Sequence, residues 1–144
     1  MRKIIVLCTL IGLTFYSCKK DSNAVDSQMS LLTSKPWKPA LIDKNSSTNP
    51  KGNIIYHATL NCEKDDNYLF SSNNILKINR GQLKCENDVI SADISDYGID
   101  LTKQKITING IEFILAEVSL TQLKYYSSTP SVSGYENIIY LFEH

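Results

Sequence analysis

Short apolar runs separated by turn residues recur along this chain. The most regular is Lys105-Ile106-Thr107-Ile108, which places both isoleucines on one face of a strand. Asn109-Gly110 follows at once. A type I′ turn needs positive φ at both central residues, so Ile111-Glu112-Phe113-Ile114-Leu115 is expected to return as the partner strand. Tyr68-Leu69-Phe70, the turn Ser71-Ser72-Asn73-Asn74 and Ile75-Leu76-Lys77-Ile78 form a second hairpin pattern. Residues 37–42, which Pro36 sends off in an extended conformation, read as a first strand, and residues 54–57, 89–92, 120–126 and 138–142 as others. Ser30-Leu31-Leu32-Thr33 reads as one helical turn, with Met29 and Leu32 covering an end of the core, and residues 43–52 read as a loop. About eight short strands with turns between them predict an all-β domain, either a small antiparallel up-and-down barrel or a β-sandwich.

The start of the chain has a different character. Met1-Arg2-Lys3 is cationic, residues 4–16 are apolar, and Ser17 puts a small residue before Cys18. The apolar run is shorter than the roughly 20 residues that cross a bilayer core, so it reads as a cleaved secretory signal. Phe15-Tyr16-Ser17-Cys18 resembles the bacterial lipoprotein box in its looser Bacteroidota form, with bulkier residues at Phe15 and Tyr16 than is usual. That resemblance implies a signal peptide over residues 1–17 and acylation of Cys18, with palmitate-type chains holding the protein in the cell envelope at the outer membrane. Two acyl chains supply stable anchoring where one is marginal. An ordinary signal peptide cut elsewhere is the alternative. Residues 18–28 lack apolar periodicity and read as a flexible tether, leaving residues 29–144 as the domain. Only Asp21 follows Lys19-Lys20, so the acidic surface-export signal is incomplete and the periplasmic or surface side stays open.

Cysteine use follows from this. Cys8 leaves with the signal and Cys18 carries lipid, so Cys62 and Cys85 remain, and two thiols in an oxidising compartment most simply form a disulfide. Structural zinc would want four ligands, and a nucleophilic cysteine would want a base and an orienting group; His57 is the single internal histidine. Losing Arg2 and Lys3 from 15 basic side chains leaves 13 against 15 acidic ones, which lacks the basic excess of a nucleic-acid binder. The Lys19-Lys20 pair instead suits anionic headgroups beside the lipid.

A second resemblance covers nearly all of the mature chain. Leu31-Leu32 and Trp37, then Cys62-Glu63-Lys64-Asp65-Asp66 with Tyr68 and Phe70, then Cys85, Ile106-Thr107-Ile108 with Asn109-Gly110, and Leu120 with Leu123, resemble the lipocalin-like domain of Bacteroidota lipoproteins. Lys35 stands where lipocalins proper place Gly, a Thr-Asp-Tyr element is missing, and Val89-Ile90 occupies a stretch that commonly carries Trp. The resemblance implies an eight-stranded lipocalin-like barrel that binds a small hydrophobic or amphiphilic ligand.

Such a barrel is either filled by its own side chains or leaves room for one small ligand. Trp37, Tyr56, Tyr68, Phe70, Phe113 and Tyr140 are the ligand-binding candidates, and Phe142 is a further large residue; pointing inward they fill the lumen, and ringing a mouth they suit an amphiphile. A one-residue register change exchanges the two faces, so the pattern leaves this open. Small inward residues and a mobile mouth at residues 43–52 would favour a carrier. Inward aromatics and an exposed apolar patch would favour a non-enzymatic protein-interaction or accessory module. Asp43-Lys44-Asn45-Ser46-Ser47 begins like a calcium loop but has Thr48 at the sixth position and no Glu at the twelfth, so it reads as a solvated loop. Glu63, Asp65 and Asp66 read as a charged strand entrance. With no phosphate cradle and no nucleophile elbow, no enzyme activity, cofactor or metal is expected.

Overall fold

The computed structural model describes residues 21–86, 92–129 and 134–144. One helix, α1 (Asp21–Ser34), precedes nine strands: β1 (Lys38–Pro39), β2 (Ile54–Tyr56), β3 (Asn67–Phe70), β4 (Ile75–Asn79), β5 (Ala92–Asp100), β6 (Lys105–Ile108), β7 (Ile111–Val118), β8 (Leu123–Ser128) and β9 (Asn137–Glu143). Eight of these strands follow one another in the order β1-β9-β8-β7-β6-β5-β4-β3, all antiparallel. Trp37, just before β1, exchanges two backbone hydrogen bonds with Tyr68 of β3, at 2.9 and 2.8 Å, and so joins the two ends of the path. The result is the expected all-β lipocalin-like architecture, a nearly closed antiparallel barrel rather than a sandwich.

Register decides which face is inside. Tyr68 pairs with Ile78 and Phe70 with Leu76; Ile99 pairs with Ile106, Ile106 with Phe113, Leu123 with Phe142, and Tyr125 with Tyr140. These residues form one continuous core. β7 carries a bulge between Leu115 and Glu117, which turns Val118 inward alongside Phe113 and Leu115. Leu32 and Met29 of α1 pack against the same core, and the Trp37 indole N–H donates to the Leu32 carbonyl at 2.9 Å.

The helix is longer than the single turn expected over residues 30–33. It begins at Asp21, so residues 21–28, which read as tether, are helical. No Gly or Pro interrupts residues 21–34, and a helix needs apolar periodicity only where it packs, which here is at Met29, Leu31 and Leu32 near its C-terminal end. β5 also differs from expectation: of the strand expected at residues 89–92, residues 89–91 lie outside the described residues, and pairing runs from Ala92 to Asp100. β2 leaves the barrel path and pairs in parallel with Asn137, Ile138 and Ile139 of β9.

Two polar clusters fix the connections. Residues 43–49 cross the outside of β8 and β9, where Lys124 is fully buried. Its ammonium lies 2.8 Å from Asp43 Oδ1 and donates to the Asn45 carbonyl at 2.6 Å, Asn49 Oδ1 at 2.7 Å and Thr48 Oγ1 at 2.9 Å. The segment that began like a calcium loop is therefore half solvated: Lys44, Ser46 and Ser47 stay exposed, while Asp43, Asn45, Thr48 and Asn49 turn in on the lysine. It is a cation loop whose cation is a lysine of the opposing strand. Desolvation would raise the Asp43 pKa, but hydrogen bonds from Lys124, the Asn45 amide and Tyr56 outweigh it and hold the carboxyl well below the usual range.

The second cluster lies at the entrance to β3. Asp66 is fully buried, pairs with Arg80 at 2.7 Å and accepts the Gly81 amide at 2.9 Å, while the other arm of the Arg80 guanidinium meets Asp93. Asp65 accepts the amides of Gln82 and Leu83. A Cβ on Gly81 would fall 2.1 Å from Asp65 Cγ, so only glycine allows this approach. These acids hold the turn after β4 and are more than a charged entrance. Cys62 and Cys85 form the expected disulfide, with Cα atoms 5.0 Å apart.

Candidate functional site

The barrel closes through a short seam. β1 contributes two residues against β9, β2 covers another stretch of the same strand, and on the β3 side only Tyr68 is bridged to Trp37. Residues 57–66 connect β2 to β3 past this gap, beginning with the His57 amide on the Ile139 carbonyl at 2.8 Å. A cavity of about 140 Å³ opens here, lined chiefly by His57, Glu63, Tyr68, Tyr125, Tyr140 and Phe142.

The aromatic walls are built by strand pairing. Tyr125 and Tyr140 are direct cross-strand partners, and their rings stack with centroids 5.2 Å apart. His57 stacks on the other side of Tyr140 at 4.7 Å. Phe142 stacks on Tyr125 at 5.4 Å and meets Tyr68 edge-on at 4.9 Å. Phe113 packs against both Tyr125 and Tyr140 and supports them from within the core.

Three phenols line this cavity, and none of their hydroxyls has a hydrogen-bond partner among the described residues. Tyr125 is only 5% exposed as a residue, yet its hydroxyl is not among the fully buried atoms left without a partner, so the oxygen is reached from the cavity. Burial drives its pKa far above the ordinary tyrosine value, with the neighbouring Tyr68 and Tyr140 adding to the effect. Tyr68 is pushed up to about 12, first by burial and then by Glu63 and Asp66, with Arg80 pulling the other way and Asp93 adding less than either acid.

The candidates named from sequence divide. Tyr68 and Tyr140 line the cavity. Phe113 stands behind it. Trp37 and Phe70 are buried in the packed core, where Trp37 stacks on His144 at 3.7 Å and Phe70 meets Tyr97 edge-on at 5.0 Å, so neither is open to a ligand. Tyr56 lies outside the barrel, with its hydroxyl donating to Asp43 at 2.9 Å. Tyr125 went unrecognised, although the run Leu123-Lys124-Tyr125-Tyr126 places two tyrosines on opposite faces and so guarantees that one points inward. Cys18 lies outside the described residues.

A second hollow of about 330 Å³ lies on the outer face of β9, lined by residues that include Leu41, Tyr56, Ala58, Lys64 and Ile139. It shares His57, Thr59 and Leu141 with the aromatic cavity, so the residues 57–59 strap separates the two. Among the described residues there is no group of acidic, histidine and cysteine side chains that could hold a metal, and no helix is long and apolar enough to cross a membrane. No family model, no curated protein and no solved structure matches this chain.

Proposed function

We propose that this protein is a lipid-anchored envelope lipoprotein of the lipocalin-like kind, and that its barrel binds a small apolar or amphiphilic molecule by enclosing one ring-sized group at the seam. The observation that carries this reading is the cavity itself, walled by the rings of Tyr68, Tyr125 and Tyr140, into which the hydroxyl of the otherwise buried Tyr125 opens. A void of about 140 Å³ is comparable to the ~150 Å³ cavity that holds benzene, and it is smaller than the roughly 300 Å³ or more of an ordinary ligand pocket. The lower lumen is filled by Leu32, Phe70, Leu76, Ile106 and Leu123, so a long acyl chain has no place along the barrel axis. Anchoring rests on the sequence of residues 1–18, with Cys18 as the acylated residue.

Extraction of natively purified protein carrying Cys18→Ala tests the binding. Recovery of a small molecule from the unmodified cavity, and its loss from a Tyr125→Leu variant that keeps its fold, is expected. Repeated recovery of nothing, with no response to benzene, would end the carrier reading. The same Cys18→Ala change should release the protein from membranes, and persistence there would contradict the anchor.

A second reading has its own observation. Leu41 and Ile42 are 72% and 73% exposed on the segment that wraps β9, and Leu60 is 57% exposed. Inward aromatics with exposed apolar residues fit an accessory module that meets a protein partner. Substituting Leu41 and Ile42 with Ser would abolish such an association while leaving small-molecule binding intact.

A further inference from the structure

We infer that the aromatic cavity takes an organic ammonium group, quaternary or N-alkylated, as the ligand head it encloses. This rests on the reading of that cavity as a binding site. Its walls are the rings of Tyr68, Tyr125, Tyr140, His57 and Phe142, and Glu63 is the one carboxylate among its lining residues, which include no Lys or Arg. Aromatic faces carry negative charge density and attract a cation lying within about 6 Å of a ring centroid, most strongly where water is excluded.

Charge around the cavity points the same way. Glu63, Asp66 and Asp93 all act on the Tyr68 phenol, and the single guanidinium of Arg80 opposes them while being engaged by both Asp66 and Asp93. Three carboxylates thus act on that wall against one guanidinium. Lys64, the nearest lysine in sequence, lines the outer hollow and reaches Asn61 Oδ1 at 2.7 Å. The three unpartnered phenol oxygens retain lone pairs that can accept an ammonium N–H or the polarised C–H of an N-methyl group. A carboxylate or phosphate ligand would face Glu63 with no cation to offset it. The cavity volume suits a compact alkylammonium head.

Calorimetric titration of the purified chain carrying Cys18→Ala tests this with choline and with its neutral isostere, in which carbon replaces the quaternary nitrogen. Choline is expected to bind roughly tenfold tighter than the isostere. Glu63→Gln, which keeps an oxygen to accept the Leu60 amide, should remove most of that preference and leave isostere affinity unchanged. Equal affinity for the two probes, or binding of the isostere or benzene alone, would overturn the ammonium assignment while leaving the cavity a binding site. Failure of choline, isostere and benzene alike would overturn both. Should Glu63→Gln fail to fold, the comparison of the two probes on the unsubstituted cavity still decides the matter.

Discussion

Replacing Lys124 with Met removes the cation around which Asp43, Asn45, Thr48 and Asn49 are arranged, and leaves the Asp43 carboxylate, 7% exposed, without its counter-charge. Breaking a buried pair in this way costs about 3–5 kcal/mol, which urea denaturation would measure. Because the folded Asp43 holds its proton less tightly than the unfolded carboxyl at 3.8, its contribution is complete above that value and is lost as pH falls below it. The acid-sensitive part of the unfolding free energy should therefore shrink in Lys124→Met. The opposite sign holds at the cavity. Tyr68 is neutral up to about pH 12 in the fold but only to about pH 10 when unfolded, and Tyr125 is shifted further, so stability should fall as pH rises above about 10. Tyrosinate absorbance should lag behind that of free tyrosine and then rise together with unfolding. A titration at the ordinary value, without unfolding, would show that the cavity phenols are open to water. Sequence named Tyr68 and Tyr140 of the cavity but could not reveal the Lys124 cluster. A lysine in a strand reads as a solvent-facing residue, and Lys124 does face out of the barrel; it is buried only because a segment about eighty positions away crosses over it, a contact to which no local pattern corresponds.

Elements with a local signal were legible. The Asn109-Gly110 turn has the positive φ values that the dipeptide predicts, 49° and 78°, and Asn109→Val should weaken the β6–β7 hairpin by forcing a β-branched residue into that conformation. β5 shows why other elements were harder. Its inward positions are Asp93, Ser95, Tyr97 and Ile99, and Ile94 on the outer face is 70% exposed, so the alternation that marks a strand is blurred over its first half. The inward carboxylate at Asp93 is tolerated because Arg80 meets it. The disulfide links the 3₁₀ turn at Asn61–Glu63, beside the cavity, to the segment after β4 across a separation of 23 residues. Replacing both Cys62 and Cys85 with Ser should cost about 3 kcal/mol by the loop-closure estimate. The same double variant should loosen the Glu63 wall and speed hydrogen exchange in residues 57–66. Unchanged exchange there would show that Asp65 and Asp66 hold the wall without it.

For the whole molecule, fold class and strand count followed from turn spacing, but the division of the lumen did not. The choice between filled and hollow needed register, and a one-residue slip would have exchanged Tyr125 for Tyr126 at the cavity wall. With the register known, the barrel proves filled below and open at its seam, because β1 is too short to pair along the full height of β9 and β3. The most direct test is a titration of ring-labelled tyrosine with benzene, followed by nuclear magnetic resonance. A saturable shift of Tyr68, Tyr125 and Tyr140, with Tyr56 and Tyr97 unmoved, is the predicted result. Absence of saturable shifts, or an equal response from Tyr56 on the outer surface, would contradict a binding cavity at the seam.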